Sequence, residues 1–337
     1  MSNSQAPHFT LRPNETEEYI EFSLHNTAIS CANAIRRIVL ADIEMYAISQ
    51  EEIVMTENTS PLHNEYITHR ISLLPIYQGY PNLDHLTFFL CKPQKTEESI
   101  ENDQHGIMDV TTDLLSIHDA SSDTWVNPKD IFLESYLITK LNVKQKLRGS
   151  FRLRKGTAAE HSRWQAVSTI SYRYEVEKDR SGTSYDGITL EEERQWIQDK
   201  NGEPKGFLFY LETSGLLPPR MVIQKSLEIL LSKISTFQQY VQTQRAKLGW
   251  TASHMLDFEY EGEMHTLGNI LATVGLEQLG KDDFIGYRMV HPMMNKFILR
   301  MKLAGSDEKD VHIDRLIEIC EYLIGHVQQL LASWNSL

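Results

Sequence analysis

S-C-A-N-A-I-R-R-I-V-L-A-D-I, residues 30–43, is apolar along most of its length yet carries two adjacent arginines, Arg36 and Arg37. Arginine is seldom buried without a partner. A helix over 27–42, drawn at about 100° per residue, puts Ala28, Ala32, Ile35, Val39 and Ile43 on one side. Cys31, Ala34 and Ile38 extend one flank, and Ile29 and Leu40 the other. Only a narrow polar strip remains, Ser30–Asn33–Arg37, with Arg36 at the edge of the apolar face. A helix this apolar is covered on most sides. Two readings stand: a core helix with snorkelling arginines, or a helix covered in part by another protein, for which the planar guanidinium is well suited.

Outward from this helix, Tyr19–Leu24 alternates as a strand and Ile48–Met55 reads as extended. Residues 56–69 read as a polar turn, Thr87–Cys91 as a strand and 92–106 as a loop. Leu190–Lys200 has the pattern of a short acidic helix, and Phe207–Glu212 that of a strand. After Pro218-Pro219 a long helix carries Leu227, Leu230, Leu231, Ile234, Phe237 and Val241 on one stripe and ends by Gly249. The plan then repeats in short form. Met255–Tyr260 is a strand, His265–Leu279 a helix, Phe284–Val290 and Lys296–Leu303 strands, and Ile313–Trp334 a second long amphipathic helix.

Ala32-Asn33-Ala34-Ile35 and Gly268-Asn269-Ile270-Leu271 hold the same place in the two halves. Aligning Asn33 with Asn269 sets Arg36 opposite Ala272 and Arg37 opposite Thr273, so only the first half keeps the charges. Two related units, each with a long apolar stripe, can bury those stripes against each other.

The bulk numbers narrow the function. A chain of 337 residues with a net charge of -13 has material for two or three domains. It also disfavours broad electrostatic binding to nucleic acid or anionic membrane. Cys31, Cys91 and Cys320 are scattered and form no CxxC, which fits a reducing compartment. No phosphate-loop, dinucleotide or HExxH motif occurs. His63, Glu65 and His69 lack the further ligand a metal would need. Residues 144–173 are the exception in charge: Lys144, Lys146, Arg148, Arg152, Arg154, Lys155, Arg163 and Arg173 face a single acid, Glu160. Phe151, Trp164, Tyr172 and Tyr174 are interleaved among them. The segment reads either as a surface for an acidic partner subunit or as a single-strand nucleic-acid binder.

Four segments carry a family resemblance: A-N-A-I-R-R-I-V-L at 32–40, E-N-T-S-P-L-H-N-E-Y-I-T-H-R-I-S-L-L-P-I at 57–76, R-K-G-T-A-A-E-H-S-R-W at 154–164 and Y-L-E-T-S-G-L-L-P-P at 210–219. Through them the first 248 residues resemble the larger platform subunit of multisubunit DNA-dependent RNA polymerases, the bacterial alpha, archaeal D and polymerase II third-subunit type. H-T-L-G-N-I-L at 265–271 and G-Y-R-M-V-H-P-M-M-N-K-F-I-L-R at 286–300 make residues 255–337 similar to the small partner, the archaeal L and polymerase II eleventh-subunit type. Both on one chain resembles the fused platform subunit of large cytoplasmic DNA viruses.

The resemblance implies an α+β fold. Two dimerisation units related to the alpha N-terminal domain would pair within one chain, with a mainly β inserted domain. The larger-subunit dimerisation domain would be 8–55 with 206–248, the insert 56–205 and the small-partner-like domain 249–337. It further implies a non-catalytic scaffold that docks the largest and second-largest polymerase subunits and small accessory subunits, touching nucleic acid only through the complex. The partner interface expected from it is Ser30, Asn33, Arg36, Arg37, Arg152, Arg154, Lys155, His161, Arg163 and Trp164. Internal pairing is assigned to Leu227, Leu231, Ile234, Phe237, His265, Leu267, Asn269, Leu316, Leu323 and Val327. Some relatives carry a four-cysteine zinc site or an iron–sulfur cluster in the insert. This insert has only Cys91, so no metal and no cofactor are expected. The expected location is the cytoplasm, at a viral replication site and in the virion, with the nucleus as alternative. The competing function is a nucleic-acid-binding transcription regulator using 144–173.

Overall fold

The computed structural model describes residues 6–92, 95–103, 106–176, 196–198, 202–245 and 255–337. In chain order the elements are β1 (His8–Leu11), β2 (Tyr19–His25), α1 (Ile29–Ala41), β3 (Glu44–Asn58), α2 (Asn64–Ser72), β4 (Leu86–Leu90) and β5 (Ile100–Glu101). Then come β6 (Met108–Thr111), β7 (Ser116–Asp119), β8 (Thr124–Val126), β9 (Leu137–Leu141), β10 (Lys146–Thr157), β11 (Val167–Tyr174) and β12 (Gly206–Thr213). The chain closes with α3 (Pro219–Gln244), β13 (Leu256–Glu261), α4 (His265–Gln278), β14 (Phe284–Met289), β15 (Lys296–Lys302) and α5 (Lys309–Asn335). Met1–Asp42, Thr169–Glu212 and Pro219–Leu337 make one compact unit, and Ile43–Ser168 with Thr213–Pro218 the other.

The first unit holds both halves of the repeat. Its sheets run β1-β2-β12-β11 and β13-β15-β14. In β2 the alternation buries Ile20, Phe22 and Leu24, and in β13 it buries Leu256 and Phe258. The cross-strand pairs Ile20:Leu211, Phe22:Phe209 and Leu24:Phe207 recur as Leu256:Met301, Phe258:Leu299 and Tyr260:Phe297. With Asn33 matched to Asn269, Cys31, Ala34, Ile35, Ile38 and Val39 fall on Leu267, Ile270, Leu271, Val274 and Gly275, buried in both helices. The same register covers the strands, since it sets Ile20 on Leu256 and Phe22 on Phe258. No insertion or deletion therefore separates strand from helix in either copy, and the repeat is much longer than the four residues first matched.

The long helices repeat as well. α3 starts on Pro219, where a missing N–H costs nothing. With Ile234 matched to Val327, Ile223, Leu227, Leu230, Phe237 and Val241 fall on Leu316, Cys320, Leu323, Leu330 and Trp334, all buried. The two helices pack side by side and run antiparallel. At one end Trp334 Nε1 donates to the Arg220 carbonyl at 3.1 Å. At the other Arg245 donates to Asp310 at 2.7 Å and to Asp314 at 2.8 Å.

Each long helix also reaches the other half's sheet. Phe237 of α3 meets Tyr260 and Phe297 at ring separations of 5.1 and 6.1 Å. Trp334 of α5 meets Phe9 and Phe22 at 5.0 and 5.2 Å. Each long helix thus roofs the sheet of the opposite half, so neither half's apolar surface is covered without the other.

The second unit contains a six-stranded sheet ordered β3-β10-β4-β7-β8, with β5 also on β10, and a separate β6-β9 pair. The basic strand β10 lies inside the sheet: Leu147, Gly149 and Phe151 point to the core while Arg148, Ser150 and Arg152 alternate outward. Phe151 stacks on Phe88 with centroids 5.0 Å apart. One expectation is corrected. Residues 64–69, read as part of a turn, belong to helix α2. Ile67 and Ile71, one helical turn apart, are fully buried and anchor it. Arg70 fixes it to β9 through the carbonyls of Ile138 and Leu137, at 2.6 and 2.8 Å. Most of the helix expected at Leu190–Lys200 lies outside the described residues; within it the described Trp196 and Gln198 form isolated bridges to Val176 and Pro204. The end expected at Gly249 also lies outside them.

Candidate subunit interface

In the first unit α1 crosses α4, and the crossing is polar on one side. Ser30, Asn33 and Arg37 of α1 face His265, Thr266 and Asn269 of α4 across a cleft of about 260 Å³, with Tyr287 of β14 at its wall. The strip seen in the sequence is this wall. Ser30 is only 4% exposed. Its hydroxyl is buried without a hydrogen-bond partner. Arg37 donates through Nε to the Thr266 hydroxyl at 2.9 Å, tying the halves together. Arg36 turns back along its own helix, donating from Nε and Nη2 to Asn33 Oδ1 at 3.1 and 3.0 Å. Burial pushes the Tyr172 phenol up, and the nearby Arg36 guanidinium opposes that rise.

Gly268 permits the close approach of β14, since a Cβ there would sit 2.6 Å from the Tyr287 ring. The Tyr287 hydroxyl in turn hydrogen-bonds His265 Nδ1 at 3.1 Å.

The repeat makes this crossing approximately two-fold, and its chemistry breaks the symmetry. Arg37 reaches Thr266, the counterpart of Ser30. The reciprocal contact, from Thr273 to Ser30, is not made. A second pair of equivalent positions differs likewise. Thr27 bonds His326 at 2.8 Å, whereas its counterpart Glu263 pairs with Lys233, the counterpart of His326. Lys233 also reaches Asp42 at 3.3 Å. Burial opposes the charge on Lys233, but the hydrogen bond it donates to Glu263 and the two carboxylates hold its ammonium above the usual range. Burial pushes Glu263 up, against the pull of Lys233. Burial likewise holds the His326 imidazole below its usual value.

Among the residues assigned to pairing, Leu227, Ile234, Phe237, Leu267, Leu316, Leu323 and Val327 are buried. Leu231 is half-buried beside the stripe, Asn269 is half-buried and His265 is exposed, both at the cleft. Sequence reasoning missed Thr27, Lys233, Glu263, Thr266, Tyr287 and His326. A longer repeat alignment would have set Thr27 against Glu263, since both lie two residues ahead of their helices.

In the second unit Arg154, Arg163 and His161 gather round Trp164, while Arg152, Arg154, Lys155 and His161 stay exposed. Trp164 is 4% exposed. The guanidinium groups of Arg154 and Arg163 lie 5.6 and 5.4 Å from its ring. Its Nε1 donates to the Arg154 carbonyl at 3.1 Å. Arg163 Nη1 donates to the Ile48 carbonyl at 2.9 Å, and Arg163 Nε to His161 Nδ1 at 3.2 Å. Arg154 meets Glu160 at 3.2 Å, and Lys155 lies 5.0 Å above the Tyr46 ring. Arg152 is exposed. Base stacking needs open aromatic faces, but Trp164 and Phe151 are buried. The arrangement suits protein contact better than single-strand binding.

Cys31, Cys91 and Cys320 are free and buried. Burial pushes the thiols of Cys31 and Cys320 up to about 11 and about 12, so neither is a nucleophile at neutral pH. Among the described residues no group of three or more His, Cys, Asp or Glu is placed to hold a metal ion. No described helix is long and apolar enough to cross a membrane.

A family model described as the RNA polymerase Rpb3/Rpb11 dimerisation domain matches residues 21–234, and a second of the same description matches 255–333. The chain is 26% identical over 259 residues to DNA-directed RNA polymerase II subunit RPB3 of Schizosaccharomyces pombe, covering 68% of this chain and 85% of that protein. It is 24% identical over 260 residues to DNA-directed RNA polymerase subunit Rpo3 of Pyrococcus horikoshii, covering 68% of this chain and 95% of that one. A bovine subunit of RNA polymerases I and III, RPAC1, is 24% identical over 291 residues, covering 66% and 81%.

Proposed function

The chain belongs to the RNA polymerase Rpb3/Rpb11 dimerisation family, and from that premise we propose that it is a two-part platform carried on one polypeptide. It is an assembly subunit of DNA-directed RNA polymerase and not the polymerising enzyme. The observation that carries the two-part reading is the unbroken register of the repeat, with each half roofed by the other's long helix. We keep the three-part division as 8–55 with 206–248, an insert at 56–205 and a small-partner-like domain at 249–337.

In this reading α1, with Ser30, Asn33, Arg36 and Arg37, docks the second-largest polymerase subunit. The basic surface around Arg152, Arg154, Lys155, His161, Arg163 and Trp164 adds to that contact. The second half, which lacks the arginines, faces the largest subunit, and small accessory subunits complete the assembly. The fusion supports a viral polymerase assembled in the cytoplasm and carried in the virion.

Tagged full-length chain, wild type and Arg36→Ala/Arg37→Ala, tests the docking. Folding is checked by urea unfolding before co-purified polymerase subunits are quantified. Loss of buried, charge-assisted contacts is expected to cost about 2–5 kcal/mol, at least a roughly thirty-fold loss of affinity. Normal recovery of the second-largest subunit by the folded double variant would refute the assignment. Recovery of the chain from nuclear rather than cytoplasmic fractions of producing cells would refute the location.

A further inference from the structure

Several arginines in this acidic chain pair with carboxylates, Arg12 with Glu175, Arg154 with Glu160, Arg220 with Glu15, Arg245 with Asp310 and Asp314, Arg300 with Asp257 and Arg315 with Glu318, and Arg70 and Arg163 donate to backbone carbonyls. Arg36 and Arg37 differ. Both are half-buried, and among the described residues neither has a carboxylate within ion-pair distance. Arg37 spends Nε on Thr266, which aims its guanidinium along the cleft. No acidic side chain lines that cleft. Its walls offer donors instead: the amides of Asn33 and Asn269, the hydroxyl of Tyr287, and the Ser30 hydroxyl, buried without a partner. A buried hydroxyl left unpaired is a standing cost that an incoming acceptor removes. A guanidinium flanked by neutral donors favours a planar anion, to which it gives two parallel hydrogen bonds.

We propose that this cleft receives the carboxylate of a single Asp or Glu side chain presented by the docking polymerase subunit, held by the Arg37 guanidinium with the Ser30 hydroxyl as a further donor. The proposal rests on the reading that α1 docks a polymerase subunit, and it names the chemical group that enters. It also accounts for the broken symmetry. On the second half Thr273 replaces the guanidinium, so only one carboxylate is received, and the platform seats this partner in one orientation.

The test uses the assembled polymerase carrying the full-length chain as wild type, Arg37→Lys, Arg37→Gln or Ser30→Ala. A carbodiimide joins an amine to a carboxylate only at contact distance, so the amine introduced by Arg37→Lys should yield one cross-linked peptide between position 37 and an Asp or Glu of a partner subunit. Arg37→Gln should raise the dissociation constant at least ten-fold and reduce its dependence on salt. Ser30→Ala should raise it about three-fold with the salt dependence unchanged. If the Arg37→Lys assembly forms but position 37 gives no cross-link, and Arg37→Gln binds within three-fold of wild type, the carboxylate proposal is overturned while docking through α1 stands. If the wild-type chain fails to bring down any polymerase subunit, the docking reading falls and this proposal with it. Saturable micromolar binding of inorganic phosphate by the isolated chain, lost in Arg37→Gln, would assign the cleft to a free oxyanion and also overturn it.

Discussion

Lys233 and Glu263 couple the two halves of the first unit, and replacing Lys233 by Met should expose how strongly. The side chains are 20% and 14% exposed, so removing the ammonium strands a mostly buried carboxylate. Breaking a fully buried pair costs about 3–5 kcal/mol, and the residual exposure puts this one near the low end, about 3 kcal/mol. Replacing both, as Lys233→Met/Glu263→Gln, removes the stranded charge and should cost about 1 kcal/mol. The coupling energy is the sum of the two single costs less the double cost, here about 2 kcal/mol plus the cost of Glu263→Gln alone, which leaves Lys233 with Asp42 as its remaining carboxylate. Equilibrium urea unfolding of the full chain measures all four corners. The pH dependence gives an independent check. Burial already holds Glu263 above its usual range against the pull of Lys233, and without Lys233 it must rise further. A carboxyl whose folded value is raised destabilises the fold when charged, so the Lys233→Met deficit is full above that value and shrinks as pH falls through it. Single variants that lose under 0.5 kcal/mol and add up in the double variant would refute the coupling. So would a deficit that grows between pH 7 and 5.

Trp334→Ala should destabilise the first unit by about 4 kcal/mol through lost packing against Phe9 and Phe22. Trp334→Phe, which keeps a ring but loses the bond to the Arg220 carbonyl, should cost about 1 kcal/mol in the same unfolding assay. Burial holds His25 and His326 below their ordinary value of 6.5, so each lends stability that is present above that value and lost as pH falls below it. The urea midpoint should therefore decline from pH 7 to 5, and His326→Gln should make the decline shallower; an unchanged slope would refute the assignment.

The long, strongly periodic elements were legible in the sequence because their burial is periodic. α1, α3, α4 and α5 lie within a few residues of where their apolar stripes place them. α2 was not, because nine residues hold only two buried aliphatics, Ile67 and Ile71, amid polar neighbours. β10 was seen as a charge run, since the outward arginines obscured the alternation of Leu147, Gly149 and Phe151. The Ser30–Asn33–Arg37 strip followed from helical geometry alone. That Ser30 would be buried, and that Arg37 would bond Thr266, depends on a helix 229 positions away in sequence, which local pattern does not report. Trp164 shows what local pattern leaves open: basic and aromatic residues close in sequence fit either an acidic partner or single-strand stacking, and only the folded chain shows this ring buried with two guanidinium groups 5.6 and 5.4 Å from it.

Carrying both halves on one chain alters what their interface must achieve. Two separate polypeptides at nanomolar abundance need an association of about 12 kcal/mol to stay together. Tethered halves meet at an effective concentration near the millimolar range, where about 4 kcal/mol already favours the closed form. The stoichiometry is fixed at one to one by translation itself. Selection can then leave an unmatched hydroxyl at Ser30 and unlike pairs at equivalent positions, and shape the crossing for what arrives from outside rather than for self-adhesion.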